Sequence, residues 1–226
     1  MSDMTPSAGT TVPAKPDTLL SLLFFASGFA ALLYQLCWQR LLFGAFGIDL
    51  HSVTIIVSTF MLGLGVGSLL GGALADRMPT RLLPAFAGIE ASIGLFGAAS
   101  AWLLPAVADA FVQSSFATVA AANFLLLLVP TTMMGATLPL LVAHEVRRHI
   151  GATAESRPDG EVGAATGRLY FVNTMGAAAG AFATAFLLFN HLTVDGVIAL
   201  AASINGVVVL AALLFLRPSL RGVTVA

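Results

Sequence analysis

Ionisable side chains are nearly missing from six long apolar stretches of the chain. Each stretch is long enough for the roughly 20 helical residues that cross a hydrocarbon layer about 30 Å thick. Backbone amides in lipid have no water to bond, so such stretches form helices, whose hydrogen bonds are internal. The pattern therefore predicts an all-α polytopic membrane bundle of six transmembrane helices. The predicted spans are residues 18–43, 52–75, 82–106, 116–143, 168–190 and 194–216.

The basic residues are distributed unevenly about these spans. Of the ten Lys and Arg residues, nine precede the first span, follow the last, or lie in the second and fourth connections with Arg168 at the border of the fourth, and only Arg40 lies on the other side. Because basic residues favour the cytoplasmic side of a membrane, both termini and these connections are predicted to be cytoplasmic. Residues 1–17 are then a disordered cytoplasmic tail, 145–167 a cytoplasmic loop, and 217–226 a second cytoplasmic tail.

Glycines recur at four-residue spacing in two of the spans. Gly63, Gly67 and Gly71 lie in the second span, and Gly176 and Gly180 lie in the fifth. Residues four apart share a helix face, and glycine on that face lets a neighbouring backbone approach closely. A phosphate-binding loop needs a preceding strand, which a membrane span does not offer. These glycines therefore predict helix packing.

The fourth span contains two prolines, Pro130 and Pro139. Each removes one backbone hydrogen bond of the helix and favours a kink. One interpretation is a structural bend that fits the shape of the bundle. The other is a hinge or an unwound lining of a substrate path, as in the broken helices of transporters.

Glu90 is the one acidic residue well inside a predicted span, about two turns from the cytoplasmic end of the third. A carboxyl group within the membrane is costly and marks a functional candidate. The alternative is a protonated or arginine-paired glutamate that fixes helix packing. Both interpretations stay open at the level of the sequence.

Polar and aromatic residues gather at the outer end of the first span. Tyr34, Gln35, Trp38 and Arg40 match an aromatic belt at the membrane interface, with Arg40 reaching the lipid headgroups. Alternatively, the rings face inward and form a site for a cation. Asn173 in the fifth span is typical of a hydrogen bond between helices, and it is also a candidate for a substrate path.

No complete catalytic or ligand-binding set is found in the sequence. Charged residues make up only 9% of the chain and hydrophobic residues 58%, against about 25% charged residues in soluble domains. His144 and His149 are five residues apart, whereas the zincin helix places its histidines at i and i+4. We therefore expect no metal, no cofactor, no catalytic residue and no nucleic-acid partner, and the lipid bilayer as the surrounding medium.

Four blocks of sequence, in order, resemble one known family. The resemblance covers roughly residues 20–216 and points to the membrane region of the bacterial membrane-bound spermidine-synthase-like proteins, often described as fused major-facilitator/spermidine-synthase proteins. The blocks are Ser27 to Gln35 with Trp38 and Arg40, Gly67 to Arg77, Pro130 to Pro139, and Gly167 to Ala177.

The resemblance implies a location in the bacterial inner membrane and a link to polyamine chemistry. The family usually continues into a soluble Rossmann-like domain similar to aminopropyltransferases. The glycine-rich cofactor loop and acidic catalytic residues of that domain are not found in these 226 residues. We therefore expect this chain not to be an enzyme on its own.

A second, weaker resemblance concerns the turn between the second and third spans. Gly72, Asp76, Arg77 and Arg81 are similar to the cytoplasmic loop motif of major-facilitator transporters, although Pro79 stands where that motif prefers glycine. The resemblance implies half of such a transporter. Half a bundle needs a partner to enclose a central cavity, so a homo-oligomer or a hetero-complex is expected.

Three functions remain as hypotheses. In the first, the chain is a non-catalytic membrane subunit or anchor that docks a soluble Rossmann-type transferase or another membrane protein. In the second, it is a transporter-like half-bundle that moves a small cationic metabolite such as a polyamine. In the third, it is an intramembrane enzyme acting on a lipid or quinone, for which no acid–base pair or metal set is present in the sequence.

Overall fold

The structure is a computed structural model that describes residues 18–46, 49–111, 113–150 and 159–215. This part of the chain contains no strand and six helices that are long and apolar enough to cross a membrane, which confirms the predicted all-α membrane bundle. The predicted tails, 1–17 and 217–226, lie outside the described residues. The elements are α1 Thr18–Phe46, α2 Asp49–Arg77, α3 Leu82–Ala110, α4 Phe116–Ile150, α5 Asp159–Ala183, a π-helical turn Thr184–Leu188, α6 Phe189–His191 and α7 Val194–Phe215.

Most of the helices extend beyond the predicted spans, most of all around the fourth connection. α4 continues to Ile150 and α5 begins at Asp159, so the predicted loop 145–167 is helical at both ends and the fifth helix starts before residue 168. Apolar length marks only the part of a helix that fits hydrocarbon. Because a helix can continue into the polar layer, the predicted loop is too long.

The fifth crossing consists of three successive segments. α5 passes into the π-helical turn at Thr184, whose hydroxyl donates to the carbonyl of Gly180 at 2.7 Å. The short helix α6 then ends at His191, and extended backbone at Leu192 turns the chain toward α7.

α1 lies at the centre of the bundle. It contacts each of the other five membrane-length helices, most extensively α5 and α7. α2 packs along α4, and α3 contacts both α4 and α7. Because successive spans run in opposite directions, the starts of α1, α3 and α5 share one end with the ends of α2, α4 and α7. We call this end the tail end and the opposite one the hairpin end.

α2 and α4 touch through their backbones. A Cβ atom at Gly63, Gly67 or Gly71 would overlap atoms of Thr131, the carbonyl of Thr132, or Ala136, all in α4. In the other direction, a Cβ at Gly135 of α4 would overlap the backbone of Leu64. Since lipid offers no hydrophobic driving force between helices, close packing of this kind stabilises the pair through van der Waals contact.

α1 and α5 pack in the same way. Cβ atoms at Gly176 and Gly180 would overlap the carbonyl oxygens of Phe25 and Phe29 in α1. The structure therefore places all five glycines of the two predicted packing faces against a neighbouring helix.

α4 remains one continuous helix through Pro130 and Pro139. The hydroxyl of Thr131 donates to the carbonyl of Leu127 at 2.8 Å, and the hydroxyl of Thr137 donates to that of Met134 at 2.7 Å. Neither is the carbonyl that a proline leaves without its helical donor, which lies four residues before it. The structure thus contains no unwound segment at these prolines, and their role as hinges stays a prediction.

Candidate functional site

Glu90 lies at the centre of a buried polar cluster between α1, α3 and α7. Its side chain is fully buried, eight residues or about 12 Å along the axis from the start of α3. The hydroxyl of Ser27 in α1 donates to Oε1 at 2.5 Å, and Nδ2 of Asn205 in α7 donates to Oε2 at 2.7 Å. The hydrogen-bond partners of the carboxyl group are therefore a hydroxyl and an amide, and not an arginine.

Asn205 extends this set of hydrogen bonds to a fourth side chain. The hydroxyl of Tyr34 in α1 donates to Oδ1 of Asn205 at 3.0 Å, and both residues are buried. Ser27, Glu90, Asn205 and Tyr34 thus form a continuous chain of hydrogen bonds, which we call the intramembrane polar cluster. Within the described part of the protein, each buried polar atom of these four side chains has a partner.

Trp38 continues the cluster along α1 toward the hairpin end. Its ring stacks on that of Tyr34, with centroids 5.4 Å apart and planes inclined by 19°. Its indole N–H donates to the hydroxyl of Ser100 at 2.8 Å, and that hydroxyl donates to the carbonyl of Gly97 at 2.6 Å. Phe96 meets the indole edge to face, with centroids 5.9 Å apart.

Two glycines of α3 leave the space that the cluster fills. A Cβ atom at Gly97 would overlap the ring of Tyr34, and one at Gly94 would lie 3.1 Å from Cβ of Asn205. The small residues on this face of α3 thus accommodate large polar side chains from α1 and α7.

Of the other sequence candidates, Tyr34 belongs to this cluster and Trp38 continues it, whereas Gln35, Arg40 and Asn173 do not join it. Tyr34 and Trp38 have no exposed surface, so the interpretation of these two as an interfacial belt is wrong. Arg40 is exposed, and its guanidinium lies 4.0 Å from the ring centroid of Phe189. Gln35 is half-buried. Asn173 lies at the contact of α5 with α1, where its carbonyl and side-chain oxygens face the position a Cβ would take at Gly28.

Sequence reasoning missed Ser27, Ser100 and Asn205. Their hydrogen-bond partners are 63, 62 and 115 residues away along the chain, respectively. The only signal in the sequence is that Asn205 is a carboxamide near the middle of a very apolar span, where such a group needs an interhelical partner.

The tail end carries a second group of charged residues. Arg168 of α5 and Glu145 of α4 form an ion pair, in which the glutamate is 5% exposed and the arginine 26%. A guanidinium N–H of Arg147 donates to the carbonyl of Ala75, near the end of α2, at 3.4 Å. A cation suits this helix terminus, where the last carbonyls carry partial negative charge.

The residues that resemble the major-facilitator loop motif lie at this same end. Asp76, Arg77 and Arg81 are exposed. Gly72 and Asp76 line a cavity of about 380 Å³ between α2, α4 and α5. Arg77 and Arg81 do not line it.

The described residues contain no group of three His, Cys, Asp or Glu side chains placed to hold a metal ion. No protein-family model, curated protein or solved structure matches the chain.

Proposed function

We propose that the chain is a non-catalytic integral membrane subunit or anchor that docks a separate enzyme or membrane complex. The observation that supports this most strongly is the use of the intramembrane polar groups. Glu90, Asn205 and Tyr34 are buried and bonded to one another across three helices. Polar groups that bond to one another across helices in this way stabilise a helix bundle, and none of these three lines the cavity at the tail end.

The outward face of the fifth crossing offers a surface for a partner in the membrane. This crossing is the least buried of the six. Gly167, Phe171, Thr174 and Ala178 lie exposed on one side of α5, and small residues around an aromatic ring give another membrane helix a surface on which to pack. A second copy of the chain or a different membrane protein would fit this surface.

The partner and location proposed here rest on the family resemblance and on charge. We propose a location in the bacterial inner membrane, with the tail end in the cytoplasm. A soluble Rossmann-type transferase would then meet the tail end, where the connection 151–158 joins α4 to α5. Polyamine chemistry would belong to that partner.

The test is affinity purification of the tagged chain in mild detergent, followed by mass spectrometry and measurement of stoichiometry. We expect a stoichiometric partner with the native chain and with Glu90→Gln. The glutamine oxygen can still accept from Asn205, and its amide nitrogen can donate to the hydroxyl of Ser27, which reverses the direction of that bond. Ala178→Leu should release a membrane partner, and replacing 151–158 by a Gly/Ser segment of equal length should release a soluble one.

Ala73→Leu, at an exposed alanine of α2, is the matched control for Ala178→Leu and should retain the partner. A native chain that purifies alone as a monomer would refute the subunit proposal. Loss of the partner in Glu90→Gln alone would also contradict it, because the bundle should tolerate that change.

The alternative is a transporter-like half-bundle that moves a small cationic metabolite such as a polyamine. The acidic side chain of Asp76 in the wall of the tail-end cavity favours this function, because a negative charge in a cavity attracts a cation. The measurement is polyamine flux into proteoliposomes containing the purified chain. Transport through Glu90 predicts that Glu90→Gln abolishes flux, and unchanged flux would exclude that path.

A further inference from the structure

The cavity at the tail end has one apolar wall. Leu138, Val142 and Val146 of α4 line it at four-residue spacing, so they share one face of that helix. They span about 12 Å along the helix axis. Val162 of α5 lines the cavity from the side. This wall suits a hydrocarbon chain.

The cavity also has one acidic and one basic residue. Asp76 is the penultimate residue of α2, and Arg147 lies near the end of α4. Both residues therefore lie in the part of the cavity that is nearest the tail end. A ligand that matches them carries one negative and one positive group at the end of an apolar tail.

Arg147 retains hydrogen-bonding capacity for such a ligand. A guanidinium has five N–H donors. Among the described residues, its one hydrogen bond goes to the carbonyl of Ala75 at 3.4 Å, and the side chain is half-buried. Arginine binds phosphate with two parallel hydrogen bonds where the geometry allows.

We propose that this cavity binds one phospholipid with a zwitterionic headgroup. The phosphate lies on Arg147, the ammonium group on Asp76, and one acyl chain along Leu138, Val142 and Val146. This site is separate from the proposed docking of a protein partner. A chain that purifies without any partner protein would still hold the lipid.

The experiment uses the full chain in nanodiscs of equimolar phosphatidylethanolamine and phosphatidylglycerol. The protein is extracted in mild detergent, and retained lipid is counted by native mass spectrometry. We expect one retained phospholipid per chain, with phosphatidylethanolamine preferred. A chain that retains no lipid, or retains both lipids in proportion to their supply, would overturn the proposal.

Charge variants test the headgroup contacts. Arg147→Gln should lower lipid retention by about tenfold, because a charge-assisted hydrogen bond is lost. Asp76→Asn should shift the preference toward phosphatidylglycerol. Arg81→Gln is the matched control, since it removes the same charge at the same end but lies outside the cavity, and it should behave as the native chain. Equal loss in Arg81→Gln and Arg147→Gln would indicate general attraction of lipid to a basic surface and would overturn the proposal.

A second pair of variants leaves the charges in place. A side chain at Gly72 meets open space and projects beside the cavity that this residue lines, so Gly72→Leu should block the acyl chain and abolish retention. Gly65 also has open space around it but does not line the cavity, so Gly65→Leu should keep the lipid. Retained lipid in a folded Gly72→Leu variant would place the lipid elsewhere.

Discussion

Asn205 holds the intramembrane polar cluster together, because one carboxamide serves two buried partners. Its nitrogen donates to Glu90 and its oxygen accepts from Tyr34. In hydrocarbon an unpartnered polar group has no water to replace the lost bond. The side chain of Asn205 therefore joins α7 to both α1 and α3 through groups that would be costly if left unpaired.

Replacing Asn205 by leucine should destabilise the bundle by about 2 kcal/mol or more, because a carboxyl oxygen and a tyrosine hydroxyl lose their buried partner. The free energy of unfolding is measured by titration with denaturing detergent. Asn190→Leu is the matched control. Asn190 is exposed, and its amide donates to Phe186 one turn earlier in the same region of the chain. Equal stability of the two variants would contradict a role for Asn205 in joining helices.

The sequence predicts two members of this cluster, Glu90 and Tyr34, but not the other two, Ser27 and Asn205. Glu90 stands out because an acidic residue within an apolar span is rare, and Tyr34 and Trp38 stand out as aromatic residues near a polar group. Ser27 and Asn205 carry no comparable signal, since hydroxyl and amide side chains are common in membrane helices. Which of them faces Glu90 depends on the rotation of α1 and α7, and that is fixed only when the helices pack.

At the scale of the helices, glycine spacing decides which pairs pack most closely. The face of α2 that contains Gly63, Gly67 and Gly71 lies on α4, while Gly65 and Gly72 of the same helix have open space around them. The difference comes from position on the helix, because residues four apart share a face. α2 therefore contains both contact glycines and matched control positions.

Gly67→Ala should destabilise the bundle by about 1–3 kcal/mol, the usual cost of overpacking a close contact. The added methyl group would overlap the carbonyl of Thr132 and the Cα atom of Gly135, both backbone atoms that cannot rotate away. Gly65→Ala changes helix propensity equally but meets no atom within 4 Å. The same unfolding titration measures the free energy of unfolding of both variants. Similar free energies would contradict a stabilising contact between α2 and α4 at Gly67.

Helix boundaries are harder to predict from the sequence than the number of helices. The polar residues that suggest a loop at 145–167 include Glu145 and Arg168, and in the structure these two pair between α4 and α5. Glu145 and Arg168, which the sequence places in a solvated loop or at its border, thus belong to helices that extend past the apolar stretches. The two partners are 23 residues apart along the chain, so the local sequence around either one does not reveal the pair.

For the whole molecule, the described arginines divide five to one between the two ends. Arg77, Arg81, Arg147 and Arg148 lie at the tail end, and Arg168 pairs with Glu145 toward that end. Arg40, at the hairpin end, lies over the ring of Phe189. The bundle therefore keeps its positive charge on one side of the hydrocarbon layer, and charge of this kind sets orientation during insertion.

This asymmetry predicts that the tail end faces the cytoplasm. Single cysteines at Thr80, in the turn between α2 and α3, and at Ser114, between α3 and α4, report the two ends, since both residues are exposed. The background is Cys37→Ala, which removes the only native cysteine, a buried one. In intact cells a membrane-impermeant maleimide should label Ser114→Cys and leave Thr80→Cys unlabelled until the membrane is opened. The reverse pattern would place the tail end outside the cytoplasm. The proposed lipid headgroup site and the connection 151–158 would then also lie outside. A cytoplasmic transferase could not reach that connection.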